Sequence, residues 1–131
     1  MIYMSFSYTV VTKKNIDDVV SNLTENLKEI GFGVLDTLDF KKILEEKGLE
    51  FSNNYKIMEI CNPKLAKQVL EANPDLGLFL PCTIAVYQKE NENYISLARP
   101  TSILNMASEE NLKSMGKEIE SNLIKIIDIT K

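Results

Sequence analysis

Met4, Phe6, Tyr8 and Val10 alternate with Ser5, Ser7 and Thr9, a period of two that predicts a strand with one face on a core and one in water. The period then changes. Ile16, Val19, Val20, Leu23, Leu27 and Ile30 recur at helical spacing between Asn15, a good N-cap, and Gly31, a good stop. Phe32 to Leu38 reads as a second strand, and Asp39 caps a short helix carrying Phe40, Ile43 and Leu44 that ends at Gly48. After a turn at Asn53-Asn54, Tyr55 to Cys61 is a third strand, and Asn62 with Pro63 at the first helical position starts a helix through Leu65, Ala66, Val69 and Leu70. Asn73-Pro74-Asp75 breaks that helix. Leu76 to Tyr87 reads as one buried strand kinked at Pro81, and a polar hairpin loop at 89–93 leads to a last strand, Tyr94 to Ala98, ended by Arg99-Pro100. A closing helix from about Ser108 places Leu112, Met115, Ile119, Leu123, Ile126 and Ile127 on one face.

Strands joined by polar turns, with two long amphipathic helices near the ends, predict an α+β fold: an antiparallel sheet covered by helices on one face. The 131 residues suit a single domain, and no internal repeat, low-complexity tract or linker divides them. With 44% hydrophobic and 26% charged residues the chain has globular composition, and no apolar run approaches the roughly 20 residues that cross a bilayer. The first residues carry neither a basic leader nor a long apolar segment, so the expected location is the cytoplasm and no membrane partner is expected.

Charge and composition narrow the chemistry further. The net charge is −4, and the basic residues are scattered lysines plus the single Arg99, without the basic stripe and interleaved aromatics of a nucleic-acid surface. Nucleic acid is therefore not an expected partner. The chain has no histidine, which removes Ser-His-Asp and Cys-His catalysis and imidazole-ligated haem or zinc. Two cysteines in one chain do not close a four-thiolate zinc site, so neither a metal nor another cofactor is expected.

Both cysteines sit beside a proline where an element begins or ends: Cys61-Asn62-Pro63 and Leu80-Pro81-Cys82. Cys61 precedes a helix N-cap, where free amides and the positive end of the dipole favour a thiolate, while Glu59 on the same strand face and burial oppose it. The packing reading of both cysteines is the simpler one, because free cysteine is among the most buried residue types. Asn62-Pro63 reads first as helix punctuation and Pro81 as an edge device. Beyond punctuation, the helix amides at Asn62, with Arg99 as a bidentate partner, form a candidate grip on a small anionic ligand. Asp36 and Asp39 read as turn and cap residues.

The same segments carry a resemblance. Gly31-Phe32-Gly33-Val34-Leu35 followed by Asp39, the Lys-Gly-Leu of 47–49, Tyr55-Lys56-Ile57, Glu59-Ile60-Cys61-Asn62-Pro63 and Leu80-Pro81-Cys82 resemble the domain of unknown function 302 family over nearly the whole chain. The resemblance implies a TATA-binding-protein-like α+β fold, with a curved antiparallel sheet and two principal helices, in a small prokaryotic protein. It implies no reaction and no ligand. Three functional readings follow. The first is a non-catalytic module that binds a small ligand or protein partner near the cysteine motifs, its candidate site residues being Glu59, Cys61, Asn62, Pro63, Pro81, Cys82 and Arg99. The second is thiol redox or sulfur handling by Cys61 with Cys82 as resolving partner. The third is a structural protein working as a homodimer, through apolar positions exposed at an edge of the sheet.

Overall fold

The structure, a computed structural model, describes residues 6–106 and 109–131. Five strands form one antiparallel sheet in the order β1-β5-β4-β3-β2: β1 (Ser7–Thr12), β2 (Gly33–Asp39), β3 (Tyr55–Cys61), β4 (Cys82–Lys89) and β5 (Glu92–Ala98). The helices are α1 (Ile16–Lys28), α2 (Phe40–Glu46), α3 (Pro63–Ala72), α4 (Pro100–Leu104) and α5 (Glu110–Thr130), and a 3-10 turn spans Pro74–Phe79.

Strand alternation sorts the side chains. Met58 and Ile60 of β3, Ile84 and Val86 of β4, and Ile95 and Leu97 of β5 share one face and are fully buried. Against them pack Val19, Leu23 and Leu27 of α1 and Ile119, Leu123, Ile126 and Ile127 of α5, so the two predicted apolar stripes close one core on one face. A second, smaller cluster joins Val69 of α3, Leu76 of the 3-10 turn, Leu104 of α4 and Leu112 of α5. This is the predicted sheet with helices on one face.

Local signals explain the element ends. Asn15 accepts the Asp18 N–H at 2.8 Å, and Asp39 accepts the Lys42 N–H at 3.1 Å. Gly31 and Gly48, at φ 82° and 80°, take the left-handed conformation that stops α1 and α2. Glu90 and Asn91 also have positive φ and make the tight turn between β4 and β5, whose paired ends are Lys89 and Glu92.

Two expectations change, and one short helix is added. The stretch from Leu76 is not strand: Asn73 caps a 3-10 turn by accepting the Asp75 N–H at 3.0 Å, and the strand starts only at Cys82, after a proline that has no ladder donor. Beyond Arg99-Pro100 the chain makes α4, five residues long, with Pro100 at its start. Phe6, expected on the apolar face of β1, lies before that strand and is 77% exposed. Met4 and the predicted helix start at Ser108 lie outside the described residues.

Candidate functional site

The two apolar clusters do not merge completely. Where they meet, at the end of the sheet, a pocket of about 50 Å³ remains. Phe32, Ile60 and Ile119 line it from the main cluster, Val69, Leu76 and Leu104 from the smaller one, and Cys61, Asn62, Leu65, Phe79 and Cys82 complete much of the wall. The two cysteine motifs thus arrive at one cavity, because Ile60 pairs with Cys82 across β3 and β4 while Cys61 is the next residue of β3. Around it the 3-10 turn and α3 leave large apolar side chains in solvent: Leu78 is 83% exposed, and Phe79 and Leu70 are partly exposed.

Asn62 is a polar residue in this wall, and its side chain is already committed. Its Oδ1 accepts from the Lys64 and Leu65 amides at 3.1 and 3.3 Å, capping α3, while its Nδ2 donates to the Ile30 carbonyl at 3.3 Å. One amide therefore ties the end of α1 to the start of α3. Gly31 makes the tie sterically feasible, since a Cβ there would stand 2.9 Å from Asn62 Nδ2. The Gly31-Phe32-Gly33 and Cys61-Asn62-Pro63 segments are thus parts of one joint.

The thiols are both half-buried and unbonded to each other. Burial pushes the Cys82 thiol up to about 11, with the neighbouring Cys61 adding to the shift, so Cys82 is protonated at neutral pH. Pro63 occupies the first turn of α3, and Pro81 joins the 3-10 turn to β4 through a cis Leu80–Pro81 bond.

Glu59 and Arg99 do not join this cavity. Glu59 faces the opposite side of the sheet, between Asp36 and Thr83. Arg99 Nε donates to Glu120 Oε2 at 3.1 Å, so the guanidinium is engaged on α5 rather than beside the Asn62 amides. The expected anion grip is not assembled: its guanidinium lies elsewhere, and the Lys64 and Leu65 amides are taken by Asn62.

Sequence reasoning missed Thr101 and Glu120. Glu120 Oε1 accepts the Thr101 N–H at 3.1 Å and the Thr101 hydroxyl at 2.6 Å, supplying α4 with the cap that Arg99 does not provide. Burial works against the Glu120 charge, but the Thr101 side-chain and backbone bonds and the Arg99 guanidinium outweigh it and hold the carboxyl below the usual range. The signal was present: Glu120 interrupts the apolar stripe of α5 at spacing three from Leu123 and seven from Ile127.

The comparisons fit this architecture. The chain is similar to an uncharacterized conserved protein from Bacillus stearothermophilus whose crystal structure is known, at 37% identity and a TM-score of 0.90, over 96% of this chain and 98% of that one. No curated protein matches it. The family model for the domain of unknown function DUF302 matches residues 8–130, from the first strand to the end of α5, and the chain belongs to that family.

Proposed function

We propose that this protein is a non-catalytic binding module that takes a short aliphatic group of a small ligand into the pocket at the cysteine motifs. The observation that carries the reading is the pocket itself: a cavity at the seam of two apolar clusters, with exposed Leu78 and half-exposed Phe79 beside it. Such a cavity favours an apolar occupant, because its lining is almost wholly apolar and Asn62 Oδ1 is spent on the Lys64 and Leu65 amides, which leaves only a single Nδ2 N–H beyond the bond to Ile30. An anionic head group finds no prepared partner, since Arg99 is held by Glu120. Thiol chemistry is disfavoured by the raised Cys82, which leaves the resolving sulfur a poor nucleophile at neutral pH.

Crystals held under xenon pressure test the reading, because xenon fills dry apolar cavities. The expected result is a xenon atom between Ile60, Val69 and Leu104. Ordered water in place of xenon overturns the proposal.

A further inference from the structure

The face of the sheet turned away from α1 and α5 carries three cross-strand rows. Leu38, Ile57, Ala85, Ser96 and Thr9 form the middle one. On one side of it stand Tyr55, Tyr87 and Tyr94, stacked with ring centroids 5.1 and 5.4 Å apart. On the other stand Asp36, Glu59 and Thr83. Ile57, Ala85 and the tyrosines are half-buried, and α2 packs at the β2–β3 end of this face, where its Phe40, with Phe51 of the following loop, meets Tyr55 edge-on.

Two features of this face leave solvent-reached polar groups available to a partner. Asp36 and Glu59 are direct cross-strand partners, an arrangement of like charges that costs stability. Among the described residues, Asp36 accepts only its neighbour's amide, and no hydrogen bond or ion pair reaches Glu59. Among the described residues the phenols of Tyr55 and Tyr87 likewise donate to no acceptor, whereas Tyr94 already donates to Glu92.

We infer that this face pairs with the same face of a second copy of the chain, about a two-fold axis lying along the Leu38–Ile57–Ala85–Ser96 row. Rotation about that axis keeps each strand over its own mate and exchanges the flanking rows. Residues two positions either side of the centre then meet: Tyr55 opposes Glu59, and Tyr87 opposes Thr83. Face-to-face sheets lie about 10 Å apart, a gap a tyrosine side chain largely spans, so the spare donors of each copy reach the spare acceptors of the other. The apolar part of the middle row, Leu38, Ile57 and Ala85, closes on its own copy. Leu35, 63% exposed at the irregularity between Val34 and Asp36, comes to lie beside the partner's α2. Strand spacing and rise give the face an area of roughly 400 Å² per copy, below the per-partner size of a standard interface, so the dimer is weak and dependent on concentration.

Sedimentation equilibrium over two decades of protein concentration tests the pairing. The weight-average mass is expected to rise from one chain towards two. Ala85→Arg, which sets two guanidinium groups against each other at the axis, is expected to weaken the dimer by at least about a hundred-fold. Glu59→Gln separates this interface from a fold defect: it weakens association about ten-fold while raising the stability of the dilute monomer, because the Asp36 repulsion is removed. A chain that stays monomeric throughout overturns the inference. So does a dimer indifferent to both variants, which would form through the β1 or β2 edge.

Discussion

Replacing Asn62 and Gly31 singly and together tests the joint between α1 and α3. Asn62→Ala removes the cap on Lys64 and Leu65, worth about 1 kcal/mol, and leaves the Ile30 carbonyl without its donor, worth about 1 kcal/mol more. The expected loss is about 2 kcal/mol. Gly31→Ala puts a Cβ at φ 82°, a backbone penalty of about 1 kcal/mol, and pushes on Asn62 Nδ2 from 2.9 Å. With Asn62 present the side chain must move and the tie weakens, for a total of about 2 kcal/mol. In the Asn62→Ala background that contact is gone and only the backbone penalty remains. The double variant is then less destabilised than the sum by about 1 kcal/mol, a coupling that urea unfolding resolves from midpoints at constant slope. Strict additivity would refute the joint.

Three further outcomes follow from the same structure. The Glu120 carboxyl is held below its unfolded value, so its stabilisation is complete above the ordinary carboxylate range and is lost as pH falls through the lower folded value. Glu120→Gln is therefore expected to cost about 1–2 kcal/mol at neutral pH, and the gap to wild type should narrow in urea titrations carried into acid; a gap independent of pH contradicts the pairing. In the folded protein, iodoacetamide should modify Cys82 slowly at neutral pH and faster only towards its value of about 11, followed by mass spectrometry of the peptides; rapid neutral labelling would restore the thiol reading. Gly116→Ala brings a Cβ to 3.2 Å from Leu104 Cβ, so the usual helix gain of alanine should turn into a loss of about 1 kcal/mol, seen as a lower thermal midpoint; a gain would mean that Leu104 yields freely.

Much of the fold was legible wherever one local signal settled an element. Asn62-Pro63 marks a strand end and a helix start in two residues, and β3 and α3 lie where that signal puts them. The Leu76–Leu80 stretch misleads because its apolar run suits a strand as well as a turn, and Asn73 decides the matter through a hydrogen bond that periodicity does not register. α4 is too short to show a helical period. The cavity depends on elements distant in sequence: Phe32, Val69, Leu104 and Ile119 meet there, and no pattern along the chain announces where two clusters fail to merge. Glu59 and Arg99 were sensible candidates by residue type, but Glu59 lies further along β3, between Asp36 and Thr83, and Glu120 takes Arg99. The tyrosine row needed the cross-strand register, which sequence spacing alone does not supply.

An amide-resolved NMR titration with straight-chain alcohols from ethanol to pentanol tests most directly whether the pocket is an apolar binding site. The predicted result is saturable shifts at Ile60, Leu65, Val69 and Leu104, with affinity rising about four-fold per methylene until the cavity is full. The same titration of Ala66→Phe, which fills the cavity from α3, should lose those shifts. Shifts spread over the surface, without saturation and unchanged by Ala66→Phe, would contradict the claim.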